Sequence, residues 1–185
     1  RAAELSKALV NTGSDGLVIG GTTGESPTLS YEEKLKLFSV VKDSVGPDVS
    51  VIAGTTDNNT QLSIELSNEA EKIGVDGLLL TVPAYNKPTQ EGLFRHFEKI
   101  ANSVGIPGIL YNVPSRTSLN MEAETTLKLS SIDNIVGVKE ASSDIDQITE
   151  IITKAPKDFK VWSGNDNDDV MMTGPVTEVF EGEWK

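Results

Sequence analysis

The sequence predicts an α/β fold carried on one all-parallel sheet, and three observations support this. Six short apolar runs bounded by Gly, Pro and Asp lie at 16–20, 49–54, 77–82, 108–112, 135–140 and 159–162, recurring roughly every 30 residues. The runs are continuous rather than alternating, as Gly77-Leu-Leu-Leu-Thr-Val82 shows. That suits strands buried on both faces of a parallel sheet. The intervals between runs hold segments of helical period, so strand and helix alternate and right-handed crossovers follow.

Taken in order, residues 2–10 form a helix with no strand before it, and the run at 16–20 is the first strand. The next helix begins at Ser30, where Ser30 and Glu33 make a capping box and Leu35, Leu37, Phe38 and Val41 share one face. The strand at 49–54 is followed by a helix over 59–73, and the strand at 77–82 by one over 90–104. The strand at 108–112 leads to a helix over 121–129, the strand at 135–140 to one over 144–154, and 159–162 is the sixth strand. Residues 165–185 break the pattern with six acidic residues against one basic. They read as loop with a possible edge strand at 176–180. The expected organisation is a parallel α/β domain over 1–166 and a divergent acidic tail over 167–185 of uncertain structure.

The chain has 185 residues, fewer than the ~250 typical of a complete (β/α)8 barrel. Sixteen basic against twenty-eight acidic residues give a net charge of −12, which argues against nucleic acid or an anionic membrane as partner. The absence of cysteine excludes disulfides, thiolate nucleophiles and Cys-ligated zinc. A single histidine, His96, argues against a Ser-His triad or a His-rich metal site, and is expected at a surface or an interface. No run approaches the ~18 apolar residues of a membrane span and no signal-peptide core is present, so a soluble, cytoplasmic protein is expected. Asp166, Asp168 and Asp169 lack the Gly and distal Glu of a calcium loop and read as solvated. Trp162 and Trp184 read as packing residues.

Loops at the carboxyl ends of parallel strands build the site. After the first strand comes Gly20-Gly-Thr-Thr-Gly-Glu-Ser26, whose glycines admit a ligand and whose hydroxyls and amides suit a carboxylate or phosphate. A purely structural turn fits it equally well, and it is neither a Walker A loop nor a dinucleotide fingerprint. After the fourth strand, Tyr111-Asn-Val-Pro-Ser-Arg-Thr117 supplies a phenol for proton transfer and a guanidinium for a carboxylate, or else a core tyrosine and a surface arginine. The strongest signal is Ile135-Val-Gly-Val-Lys-Glu140, where Lys139 ends an apolar strand. A desolvated lysine amine is free to attack a carbonyl and form a Schiff base. The alternative is a snorkelling lysine paired with Glu140. Together these groups suit imine chemistry on an α-keto acid, with the protonated imine as electron sink and neither metal nor organic cofactor required.

At these residues the chain resembles the dihydrodipicolinate synthase (4-hydroxy-tetrahydrodipicolinate synthase) family of pyruvate-dependent class I aldolases, which includes N-acetylneuraminate lyase. The resemblance runs from Arg1 to Asp166. It rests on Gly21-Thr-Thr-Gly-Glu25, Pro83-Ala-Tyr-Asn-Lys-Pro88, Tyr111 to Thr117, Gly137-Val-Lys-Glu-Ala-Ser142 and Ser163-Gly-Asn-Asp166. It implies an incomplete TIM barrel holding family strands two to seven, with strand one before Arg1 and strand eight after Asp166. It also implies an imine between Lys139 and pyruvate, and a proton relay of Tyr111, Thr22 and Tyr85, the last supplied to a neighbouring subunit. Thr23 would hold the pyruvate carboxylate and Arg116 the aspartate semialdehyde carboxylate, with Gly164 at the substrate. The product would be 4-hydroxy-tetrahydrodipicolinate, made by a homo-oligomer.

Two departures stand out. The family's Tyr-Tyr pair reads Ala84-Tyr85, and its lysine-effector positions read Tyr31, Lys34 and Leu62, so feedback inhibition by lysine is not expected. The alternatives are a sibling aldolase acting on sialic acid or a sugar keto acid, and a weakly active barrel fragment that folds as an oligomer.

Overall fold

The computed structural model describes residues 1–164. Among these it places α1 (Ala2–Asn11), β1 (Gly16–Ile19), α2 (Tyr31–Val45), β2 (Ser50–Gly54), α3 (Thr60–Ile73), β3 (Gly77–Thr81) and α4 (Gln90–Ala101). There follow β4 (Gly108–Asn112), α5 (Pro114–Thr117), α6 (Ala123–Leu129), β5 (Ile135–Glu140), α7 (Ile145–Lys154) and β6 (Lys160–Ser163). The expected tail over 167–185, with Trp184, Asp166, Asp168 and Asp169, lies outside the described residues.

Six strands form one sheet in chain order, every neighbouring pair parallel. Helices pack in sequence along one face: α1 on α2, α2 on α3, α3 on α4, α4 on α6 and α6 on α7. A chain that adds strands in one direction and keeps its helices on one side winds singly, and strand twist curls it into the arc of a barrel wall. This is the incomplete (β/α)8 arrangement the sequence predicts.

Strand alternation then divides the apolar residues into two sets. Leu17, Val51, Ala53, Leu78, Leu80, Leu110 and Val138 face the helices and join Phe38, Val41, Leu66, Leu93, Phe97, Ile100 and Ile151 in the main core. The concave face carries a separate small cluster of Leu79, Tyr111, Val113 and Ala141, flanked by Ile52 and Ile109. Towards β1 that face opens, and Val18 is 56% exposed.

Local signals explain the helix starts. Ser30 Oγ accepts the Glu33 amide and the Glu33 carboxylate accepts the Ser30 amide, completing the expected capping box. Asn59, Thr89 and Asp144 cap α3, α4 and α7 through their side-chain oxygens. Two segments differ from expectation. Residues 102–104 leave the helix in turns that close onto Ile100 and Ala101. Residues 114–117, where no helix is expected from the sequence, form the single-turn helix α5 with Pro114 at its start.

The expectation that His96 lies at a surface or an interface is corrected. It is 6% exposed on the inner side of α4, and its Nδ1 lies 2.9 Å from Thr60 Oγ1 on α3. The stripe Leu93, His96, Phe97 and Ile100 is the buried face of α4. Burial holds the imidazole pKa down to about 4, opposed only by the carboxylate of Asp57. The folded state thus favours neutral His96, while the unfolded chain takes up a proton near pH 6.5. This stabilisation is complete above that pH and is lost as pH falls towards 4, for a total of roughly 3 kcal/mol. Unfolding free energies measured in denaturant from pH 7.5 to 4 are expected to fall more steeply for the wild type than for His96→Gln. Parallel curves would remove His96 from the acid response.

Candidate active site

The site begins with one register pairing. Tyr111 on β4 stands opposite Lys139 on β5, both near the carboxyl ends of their strands. Lys139 Nζ lies 4.4 Å from the centroid of the Tyr111 ring. An ammonium over a phenol face is attracted by the ring quadrupole, and the tyrosine is only 5% exposed. The pairing depends on an irregularity lower in the strands. Gly108 pairs with Ile135 but Ile109 with Gly137, so Val136 is skipped. Without that bulge Tyr111 would face Val138.

The loop after β1 closes this position. Gly20 adopts φ +68, and the chain then turns through bonds from the Gly24 amide to Gly21 and from the Glu25 amide to Thr22. The turn places Thr22, Thr23 and Gly24 with Val18, Leu79, Tyr111 and Lys139 around a cavity of about 120 Å³. A second cavity of about 330 Å³ shares Thr22 and is lined by Arg116, Lys34, Thr56, Asp57 and Asn58 among others. Thr22 is therefore the common wall between the lysine and the arginine, and α5 is the element that presents Arg116.

Gly164 flanks the lysine from the far side of β5. Its amide donates to the Glu140 carbonyl at 2.8 Å. A methyl group at this α-carbon would stand 3.0 Å from Lys139 Cγ and Cε, so glycine is what lets the chain pass the lysine stem. Trp162 is the register partner of Lys139 and packs across Gly137, as expected of a packing residue.

Six of the seven expected site residues therefore converge: Lys139, Tyr111, Thr22 and Thr23 on the first cavity, Gly164 against Lys139, and Arg116 on the second. Tyr85 does not. It is 91% exposed on the loop after β3 and lines neither cavity. Of the effector positions, Lys34 reaches the second cavity, while Tyr31 and Leu62 are exposed on their helices.

The alternative pairing of Lys139 with Glu140 is not formed, because consecutive strand residues point to opposite faces. Glu140 is 1% exposed on the convex side. Asn112 Nδ2 donates to it at 3.0 and 3.2 Å, Gln147 Nε2 at 3.2 Å and the Ser142 amide at 2.9 Å. Burial raises its pKa, and these donors oppose the rise. Sequence reading missed this cluster, and it missed Asp57 and Asn58 at the second cavity.

Comparison with known proteins places this arrangement. The model of the Dihydrodipicolinate synthetase family matches residues 1–177. The 4-hydroxy-tetrahydrodipicolinate synthase of Moorella thermoacetica is 60% identical over 166 residues, covering 90% of this chain and 57% of that protein. The crystal structure of dihydrodipicolinate synthase DapA-2 from Bacillus anthracis superposes with a TM-score of 0.87 at 48% identity, over 89% of this chain and 56% of that one. A monomeric dihydrodipicolinate synthase variant superposes with a TM-score of 0.85 at 41% identity, over 89% of this chain and 56% of that one. The chain thus spans somewhat more than half the length of the relatives it matches.

Gly164→Ala is expected to crowd the lysine stem. Competitive acetylation should show Lys139 labelled several-fold more slowly relative to exposed Lys7, with a stability loss of about 1–3 kcal/mol from overpacking. An unchanged labelling ratio would show that the glycine does not govern access to the amine.

Proposed function

Because the chain belongs to the dihydrodipicolinate synthetase family, we propose that it carries the imine-forming site of a lyase that condenses pyruvate with aspartate semialdehyde. The observation that carries this reading is Lys139 held over the Tyr111 ring in a small cavity whose other wall is the Thr22–Thr23 turn.

The chemistry follows from the groups present. The neutral amine of Lys139 attacks the ketone carbon of pyruvate, and loss of water leaves a protonated imine. The Tyr111 phenol and the Thr22 hydroxyl relay the protons of those steps. The amides and hydroxyl of the turn at Thr23 donate hydrogen bonds to the pyruvate carboxylate. Loss of a methyl proton converts the imine to an enamine, the iminium nitrogen taking up the electron pair, so no cofactor or metal is invoked. The enamine carbon then adds to the aldehyde of the second substrate. Its own amine displaces Lys139 in closing the ring, which releases 4-hydroxy-tetrahydrodipicolinate and restores the lysine. Arg116, across Thr22 in the second cavity, holds the second carboxylate. That guanidinium favours the semialdehyde over the sugar acids of sibling aldolases.

Tyr85 has a place in this scheme only if it enters the site of another copy of the chain, so a homo-oligomer belongs to the proposal. One structural relative is a monomeric dihydrodipicolinate synthase variant. Among the described residues no helix is long and apolar enough to cross a membrane. The proposed activity is a cytoplasmic, biosynthetic one in the pathway to diaminopimelate and lysine.

Incubation with pyruvate and borohydride is expected to add one reduced pyruvate at Lys139, and none in Lys139→Ala. Arg116→Ala should keep this adduct while lowering consumption of aspartate semialdehyde at least tenfold. Failure of the wild-type chain to form the adduct would overturn the reading, and turnover of N-acetylneuraminate in its place would favour the sibling activity.

A further inference from the structure

Behind the proposed catalytic pair lies a second cross-strand pair. Tyr111 and Lys139 meet on the concave face, and the next residue on each strand, Asn112 and Glu140, meets on the convex face in the following register position. Both of these are buried, at 0% and 1% exposure. The Asn112 amide cannot turn over without loss. Its Oδ1 accepts the Met121 amide at 3.0 Å, and its Nδ2 donates to Asn120 Oδ1 at 2.8 Å as well as to both Glu140 oxygens. Glu140 also accepts the Ser142 amide from the loop beyond β5, and its carbonyl accepts the Gly164 amide beyond β6. One carboxylate is therefore tied to β4, to the loop after β5 and to α7 through Gln147, and the same residue's backbone is tied to the glycine that passes Lys139.

The skipped Val136 makes this tie consequential. A bulge lets two strands choose between neighbouring registers, and a slip of one residue carries every side chain beyond it to the opposite face. Slipped back by one, Lys139 would stand opposite Asn112 and Tyr111 opposite Val138. The register observed is the one in which the carboxylate meets the amide. Apolar packing resists the slip as well, but Val138 and Leu110 offer no directional preference between neighbouring registers. A hydrogen-bonded, buried carboxylate does, because an unpaired one is heavily penalised.

We propose that Glu140 is a positioning residue for the imine site: through Asn112 it fixes the β4–β5 register that sets Lys139 over Tyr111. This rests on the reading of Lys139 as the imine-forming lysine, and it adds a group that touches no substrate. Glu140→Gln keeps the shape but replaces one of the two carboxylate oxygens with an amide donor facing the donors of Asn112 and Gln147, so the tie is weakened with little change of volume. Asn112→Ser breaks it from the other strand, and keeps the test open should the first variant not fold. Gln147→Leu removes one donor to Glu140 but leaves the Asn112 bonds, so it lowers stability without loosening the register.

The experiment is the rate of borohydride-trapped pyruvate adduct at Lys139 in the full chain, at saturating pyruvate and well below each variant's unfolding midpoint. Glu140→Gln or Asn112→Ser should slow adduct formation at least tenfold, with the half-saturating pyruvate concentration moved less than threefold. Gln147→Leu should stay within about twofold of wild type. Losses that simply follow the unfolding midpoint across all three variants would reduce Glu140 to a structural role and overturn the proposal. A wild-type chain that forms no adduct would defeat the functional reading alone. In that case the competitive acetylation of Lys139 against Lys7 decides: a change of threefold or more in Glu140→Gln supports positioning, and an unchanged ratio overturns it.

Discussion

The pairing of β4 with β5 is the constraint on which the rest of the site depends. A strand offers its neighbour two faces and no third, so the position that sends Lys139 inward must send Glu140 outward. The chain meets this by putting chemistry on the inner face and a hydrogen-bonded carboxylate on the outer one. Burying Glu140 is unfavourable in itself, and the rise in its pKa reflects that. Donors from Asn112, Gln147 and the Ser142 amide offset it, and each belongs to a different segment. A group so surrounded couples β4, α7 and the loop after β5 through one carboxylate, with the Asn112 bonds carrying the tie between the strands.

Single winding explains where apolar residues go. With the helices on one side, the main core lies between sheet and helices, and each strand contributes only half its side chains to it. The concave side is free to carry polar groups at the carboxyl ends and a small apolar floor beneath them. Lys139 stands over that floor beside Leu79 and Tyr111. Arg116, by contrast, sits on an exposed single-turn helix where a permanently charged group is well placed.

The fold was legible because each of its elements has a local signature. The six strands were found to within one residue at most ends, since Gly, Pro and Asp bound them, and α2 was found from its capping box. The sites on strands and tight loops followed, because position at a carboxyl end is itself a signal. His96 was misplaced although its signal was present: it falls with Leu93, Phe97 and Ile100 on one helical stripe, and a polar residue on an apolar stripe is buried by its neighbours. The Asn112–Glu140 pair was not legible at all. Which residue of β4 faces which residue of β5 depends on one skipped valine, and no local pattern at 135–140 announces a bulge.

Tyr85 shows how the same logic extends beyond the chain's own cavities. Its backbone stands at φ +75, a left-handed conformation that costs a tyrosine about 1–2 kcal/mol. Such strain persists only where the surroundings over-determine it. Here the Tyr85 amide donates to the Thr117 carbonyl of α5, and the preceding Ala84 amide donates to Asn58 Oδ1 in the loop after β2. The Ala84–Tyr85 dipeptide is therefore pinned from both sides, by the element that carries Arg116 and by a loop lining the same cavity. A ring that were merely solvated would need no such fixing, since relaxing to an ordinary φ would recover the strain. The pinned backbone fixes where the Tyr85 α-carbon stands relative to α5, the element that carries Arg116. A backbone held in place in this way has less ordering entropy left to lose, whatever the exposed phenol meets.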